Sequence, residues 1–110
     1  MDDVEFRRHA DQALEELKRS LLHAEESADI EVEENAGALK VNFEEPPGTF
    51  VISPNAPVKQ IWVSALSTSF KLDWSEAAGD FVLTKTGEKM KALLSRLINQ
   101  QLGQEAVTLI

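Results

Sequence analysis

The chain has 110 residues, 43% of them hydrophobic, which is enough apolar material for one small domain spanning residues 1–110. Its formal net charge of −8 disfavours nucleic acids and anionic membranes as partners and favours cations or a basic protein. It has no cysteine, which excludes disulfides and thiolate chemistry, and no apolar run long enough to span a membrane, so we expect a cytoplasmic protein.

The first predicted element is an amphipathic helix over residues 4 to about 24. Asp2 and Asp3 suit the positive N-terminal end of such a helix. His9 lies close to the apolar side, which favours a packed helix residue over a metal ligand. Apolar side chains recur at three- and four-residue steps and form one stripe, made of Phe6, Ala10, Ala13, Leu14, Leu17, Leu21 and Ala24.

About six antiparallel strands are predicted after this helix, from alternating polarity and dense β-branched residues. They lie near residues 29–34, 39–43, 49–53, 59–65, 70–74 and 81–83. In the central strand, Ile61, Val63 and Ala65 share a small apolar face suited to a core. The other face of that strand carries Gln60, Trp62 and Ser64.

Thr86 is predicted to cap a second amphipathic helix that ends near Leu102, and the tail 105–110 is apolar enough to pack back. Each helix is apolar on one side only. We therefore predict the α+β class: a two-layer α-β sandwich with the N- and C-terminal helices on one face of an antiparallel sheet of about six strands. The opposite face stays open to water, and Trp62 points out of it.

Acidic residues are concentrated in the first helix and the first strand. Residues 1–45 hold fourteen acids against five bases, and like charges placed so close repel each other. Oxygen ligands without a Cys or His cage suit hard cations such as Fe, Mn or Ca, bound weakly. A solvated face that only confers solubility is the alternative interpretation. The candidate metal ligands are Asp11, Glu15, Glu16, Glu25, Glu26, Asp29, Glu31 and Glu33, with His23 as an auxiliary ligand beside Glu26.

Trp62 also has two interpretations. A large aromatic between two polar side chains is either covered by a loop or a neighbouring strand, or it is an exposed recognition anchor. No histidine lies near a nucleophile signature, and Gly-x-Ser-x-Gly and phosphate-loop motifs are absent.

Several segments, taken in order, resemble the frataxin family, in particular its bacterial CyaY form. The central block is carried by Phe50-Val51-Ile52, Pro57, Gln60-Ile61-Trp62-Val63-Ser64 and Asp73-Trp74. The segments similar to bacterial members are Glu5-Phe6, Ala10-Asp11-Gln12, residues 29–33 with Asn35, Gly37 and Leu39, and Gln100-Gln101 with residues 103–107. The resemblance covers essentially the whole chain.

The resemblance implies an iron-binding regulator or adaptor of iron–sulfur cluster assembly, with iron (Fe²⁺ or Fe³⁺) held weakly and exchangeably on an acidic ridge. It also implies docking on a cysteine desulfurase and an iron–sulfur scaffold protein. A monomer is expected, and iron-dependent oligomers stay open. The alternative is a ferroxidase or iron-storage protein, which needs a buried ligand set that these carboxylates, none of them in an apolar stripe, do not suggest. The partner-binding candidates are Asn55, Lys59, Gln60, Trp62 and Ser64.

The chain departs from the family pattern at three places. Residues 18–19 and 22–23, Lys-Arg and Leu-His, interrupt the ridge late in the first helix, so iron is expected to shift towards Glu25, Glu26 and the first strand. Ser53 stands where the family usually has Asn, which puts one partner contact in doubt. Residues 67–69 replace the usual Ser-Gly-Pro turn.

Overall fold

The computed structural model describes residues 1–110, which form two helices and a seven-stranded antiparallel sheet. Helix α1 (Asp3–Glu25) precedes the sheet, and helix α2 (Met90–Leu102) follows it. A short 3-10 helix, Ala56–Val58, lies inside the sheet segment. The strands pair in chain order and are β1 (Glu31–Asn35), β2 (Ala38–Glu44), β3 (Pro47–Asn55), β4 (Gln60–Ala65), β5 (Thr68–Ser75), β6 (Asp80–Leu83) and β7 (Glu88–Lys89).

The two helices cover one face of the sheet, which confirms the predicted α-β sandwich. Alternate strand residues such as Ile52, Val63 and Leu72 are fully buried, and they share one core of 23 residues with both helices. The intervening strand residues lie on the opposite, outer face, which no helix covers. The apolar stripe of α1 packs as predicted, with Phe6 and Leu17 almost completely buried.

The predicted start of the second helix is wrong, and the sheet has one short strand in addition to the about six predicted. Residues 88–89 pair with β6 as a seventh strand, and α2 begins only at Met90. The Thr86 hydroxyl accepts a hydrogen bond from the Glu88 backbone N–H at 3.2 Å, so it closes a local turn rather than capping a helix. A Thr followed by polar residues satisfies either role, because the hydroxyl takes whichever N–H the backbone presents.

The C-terminal tail packs back onto the molecule, as predicted. Val107 and Leu109 are buried, and the Asn99 side chain of α2 bonds the backbone of Val107 in both directions at 2.8 Å. The tail therefore packs beside α2 and contributes to the core under the helices. No helix of the chain combines the length and the apolar character needed to cross a membrane.

Candidate functional site

Helix α1 and the edge strand β1, which together carry most of the predicted acidic ligands, lie side by side. Lys18 of α1 forms an ion pair with Glu34 of β1, with 3.2 Å between Nζ and Oε1. Asp11 and Glu15 precede Lys18 by seven and three residues, so they lie on the same side of the helix. Both carboxylates are exposed, and the only ion pair of either is a long one of 3.9 Å from Glu15 to Arg19.

A second group of acids surrounds a shallow cleft at the start of β1. Asp29 and Glu31 line it together with Asn42 and Glu44 of β2, and its volume is about 250 Å³. Asp29, Glu31 and Glu44 are exposed and form no ion pair. Glu44 was not among the predicted ligands. Its position follows from the hairpin register, in which Glu31 lies opposite Asn42.

Two of the predicted ligands are engaged in the architecture of the sheet. Glu25, at the end of α1, accepts a hydrogen bond of 2.7 Å from the backbone N–H of Val32 on the outer edge of β1. Glu33 accepts a hydrogen bond from the Asn42 side chain, which in turn accepts one of 2.9 Å from the Thr49 hydroxyl. A metal ion at either carboxylate would compete with these bonds.

Glu16 lies apart from the other acids of α1. It follows Asp11 by five residues, which places it roughly 140° further round the helix. There it borders a cleft of about 100 Å³ with Asp80 and with His9, whose ring stacks on that of Trp74 at 3.8 Å between centroids. Burial raises the pKa of Asp80 above 3.8, and the charge of Glu16 raises it further. His9 is a packed helix residue, as predicted.

The predicted metal ligands therefore share a region without converging on a point. Seven of the eight are exposed, and Glu25 is half-buried. No three His, Asp or Glu side chains lie close enough together to hold one metal ion. His23 and Glu26 are neighbours at 3.6 Å, both on the surface. What this arrangement offers chemically is a field of carboxylates that attracts cations.

The outer face of β4 carries a bonded cluster around Trp62. The Trp62 indole N–H donates to Gln60 Oε1 at 2.9 Å, and the Gln60 amide donates to Asp73 Oδ1 on β5 at 3.0 Å. Lys71 Nζ lies 5.1 Å from the centroid of the Trp62 ring, within cation–π range. Trp62 is half-buried, so neighbouring strands cover part of the ring and leave the rest to solvent. Ser64 is exposed on the same face.

Asn55 and Lys59 differ in their relation to this face. Asn55 lies opposite Gln60 in the β3–β4 pair, beside the cluster. Lys59 adopts a left-handed backbone conformation, with φ of 53°, and its Nζ lies 3.1 Å from the Asp3 carboxylate at the start of α1. The side chain of Lys59 therefore points to the helix layer and away from Trp62.

Lys71 and Asp73 were missing from the predicted partner surface. Both follow from the two-residue turn at 66–67, which places Lys71 opposite Trp62 and Asp73 opposite Gln60. The sequence feature that could have identified them is the length of that turn, because the turn length sets the register of the hairpin.

Comparison with known proteins gives a consistent result. A family model described as "Frataxin-like domain" matches residues 1–104. The iron-sulfur cluster assembly protein CyaY of Azotobacter vinelandii is 34% identical over 77 residues, covering 70% of this chain and 69% of the relative. The protein of the same name from Pseudomonas fluorescens is 30% identical over 106 residues, covering 96% of this chain and 93% of the relative.

Solved structures show the same fold. Frataxin from Psychromonas ingrahamii superimposes with a TM-score of 0.82 over 100% of both chains, at 23% identity. Yeast frataxin superimposes with a TM-score of 0.70, at 26% identity, over 90% of this chain and 81% of the other.

Proposed function

The chain belongs to the frataxin-like family, in its bacterial CyaY form, and on this premise we propose that it takes part in iron–sulfur cluster assembly. Its role is that of an iron-binding regulator or adaptor rather than an enzyme. The observation that carries this proposal is the row of exposed, largely unpaired carboxylates along α1 and β1. A net charge of −8 adds attraction for cations and for a basic partner.

Iron is the cargo in this proposal, and it binds weakly and exchangeably. The cleft lined by Asp29, Glu31 and Glu44 is the preferred region, because these carboxylates are exposed and bonded to nothing else. They do not converge on one point, so each ion is held by fewer than three of them together with water. Glu25 and Glu33 are less available, because each already accepts a hydrogen bond. Exposed oxygen ligands keep most of their hydration, which supports low affinity and fast exchange.

The partners are a cysteine desulfurase and an iron–sulfur scaffold protein. The acidic side of the molecule supplies long-range attraction to a basic surface. The outer face supplies a half-buried aromatic anchor, Trp62, whose indole N–H is held by Gln60. Asn55 and Ser64 extend this face, whereas Lys59 contributes through its contact with Asp3 at the start of α1.

The iron placement is tested by titrating Fe²⁺ without oxygen and following amide signals by NMR. Amides of Asp29, Glu31 and Glu44 are expected to broaden before any residue after Lys59. Replacing Asp29→Asn and Glu31→Gln together should weaken iron binding at least fivefold. The control pair Glu45→Gln and Glu105→Gln, also exposed, removes the same charge and should change affinity less than twofold. Equal loss in both pairs would mean a diffuse charge effect and no site.

Oxygen consumption separates this role from the alternative of a ferroxidase or iron-storage protein. A regulator is expected to leave the rate of Fe²⁺ oxidation in air at the rate of iron in buffer. Faster oxygen uptake that saturates with iron, or iron-loaded oligomers in sedimentation, would support the alternative. Capture of a purified desulfurase, with and without iron, tests the partner assignment.

A further inference from the structure

The first part of β5 has a neighbouring strand on one side only. β6 pairs with β5 only at residues 73–75, and the chain then turns away after Leu83. Residues 68–72 of β5 are paired with β4 on one side and with nothing on the other. The shortness of β6 therefore leaves a notch in the sheet about five residues long, or roughly 14 Å at the rise of a strand.

The backbone groups that face this notch are identified by the register. A two-residue turn closes the β4–β5 hairpin, so Ala65 and Thr68 exchange hydrogen bonds, as do Val63 and Phe70. Alternate residues direct their N–H and C=O groups to the other side. Ser69 and Lys71 are those residues, and the loop that follows β6 makes no backbone hydrogen bond to either of them.

The notch opens into a cleft of about 780 Å³ between β5, the loop at 84–86 and α2. Phe70 and Leu83, both half-buried, form its apolar side. Lys71, Lys85 and Arg96 border it. The Arg96 guanidinium is paired with Glu88, so the positive charge left for a ligand is that of the two lysines. Asp73 is the one carboxylate at the cleft, and it already accepts hydrogen bonds from Gln60 and from the Thr84 hydroxyl.

We propose that this cleft binds an extended, acidic segment of a partner protein, which adds as a strand along residues 68–72 of β5. The free groups of Ser69 and Lys71 supply the backbone pairing, as in other strand-addition complexes. Alternate side chains of the added strand face Phe70 and Leu83 on one side and Lys71 on the other. Lys85 at the rim attracts acidic residues. The proposal depends neither on iron binding nor on docking through Trp62.

Charge selects this occupant over others. A lysine at a free strand edge normally discourages pairing with a like edge. Here the cations lie around an apolar wall inside a cleft, an arrangement that favours binding of a segment of opposite charge. The chain carries most of its own acids in residues 1–45, so a second copy is the competing occupant, and self-association at the cleft is one outcome of the test.

The experiment uses the whole chain and an acetylated, amidated hexapeptide of alternating glutamate and valine. Saturable NMR shifts are expected at the Ser69 and Lys71 amides, with at least tenfold slower hydrogen exchange there. N-methylation of alternate peptide amides should abolish both effects, and a lysine–valine peptide should bind at least tenfold more weakly. Lys85→Glu should weaken binding about tenfold, whereas Lys89→Glu, an exposed lysine outside the cleft, should change it less than threefold. Ser69→Pro removes one edge donor at a position where a strand edge tolerates proline, and should reduce binding to a similar extent.

Binding that survives N-methylation, or shifts centred on β1, would overturn the proposal. So would equal binding of the acidic and basic peptides. Sedimentation velocity without peptide tests whether a second copy of the chain occupies the cleft. Dimers that form at micromolar concentration and dissociate in Lys85→Glu would assign the cleft to a second copy and refute the partner segment.

Discussion

Replacing Glu25 tests whether the acidic side of the molecule is partly structural. In the folded chain the Glu25 carboxylate accepts the backbone N–H of Val32 at 2.7 Å and so ties the end of α1 to the edge strand β1. Glu25→Ala removes this bond and leaves the N–H to water. We expect a loss of stability, even though the substitution also removes one negative charge from a crowded acidic region.

The magnitude follows from the exposure of that edge. A hydrogen bond to a charged group contributes about 1.5–3 kcal/mol, but water partly replaces a lost partner at a strand edge, which reduces the loss to about 1 kcal/mol. Glu26→Ala is the matched control, because Glu26 is adjacent, exposed and bonded only to His23 at 3.6 Å. Both changes gain helix propensity and relieve repulsion at the negative helix end, so their difference isolates the bond.

Urea unfolding and amide hydrogen exchange are the assays. Glu25→Ala should be less stable than Glu26→Ala by about 1 kcal/mol, which corresponds to about 4–5 °C in Tm for a chain of this size. The Val32 amide should exchange faster in Glu25→Ala only. Glu25→Gln, which keeps an acceptor oxygen, should recover more than half of the loss. Equal stability of the two alanine variants, with unchanged Val32 exchange, would refute the structural role of Glu25.

Three further predictions follow from the contacts of the sheet and of α2. Trp62→Ala should weaken partner binding by about 2 kcal/mol with little effect on urea unfolding. Trp74→Ala, on the helix-covered face, should instead cost about 3 kcal/mol of stability. A larger loss of stability in Trp62→Ala than in Trp74→Ala would contradict their assignment to the two faces. Burial raises the pKa of Asp80, so its charged form opposes folding: Asp80→Asn should be stabilising at pH 7, and the gain should fall as pH drops through the raised pKa and vanish below 3.8. A stability gain of Asp80→Asn that persists unchanged in unfolding curves at pH 3 would contradict a raised pKa of Asp80. The Arg96 side chain, bonded to Glu88 at 2.8 and 2.9 Å, lowers the Glu88 pKa below 4.5. Arg96→Gln should therefore cost about 0.5–1 kcal/mol at neutral pH, and the difference from the parent should disappear in unfolding curves as pH falls through that lowered pKa.

The sequence predicted the elements whose evidence is local. The stripe of α1 follows from a period of 3.6, and the buried set Ile61, Val63 and Ala65 follows from a period of two. Two helices apolar on one side, flanking antiparallel strands, leave the α-β sandwich as the arrangement that buries both stripes at once. The sequence also shows the concentration of acids in its first half, because counting charges requires no knowledge of tertiary contacts.

The folded structure decided what each of those side chains does. Glu25 and Asp29 are equivalent by composition, yet one bonds the edge of β1 and the other lines an open cleft, because helix and strand meet at only one of them. Lys59 looked like a neighbour of Trp62 in sequence, but its left-handed backbone turns it to Asp3. The free edge of β5 exists because β6 ends after four residues, where the chain turns at Leu83 and continues into β7. Periodicity is a property of neighbours along the chain, whereas pairing and exposure depend on which distant residues arrive at the same place.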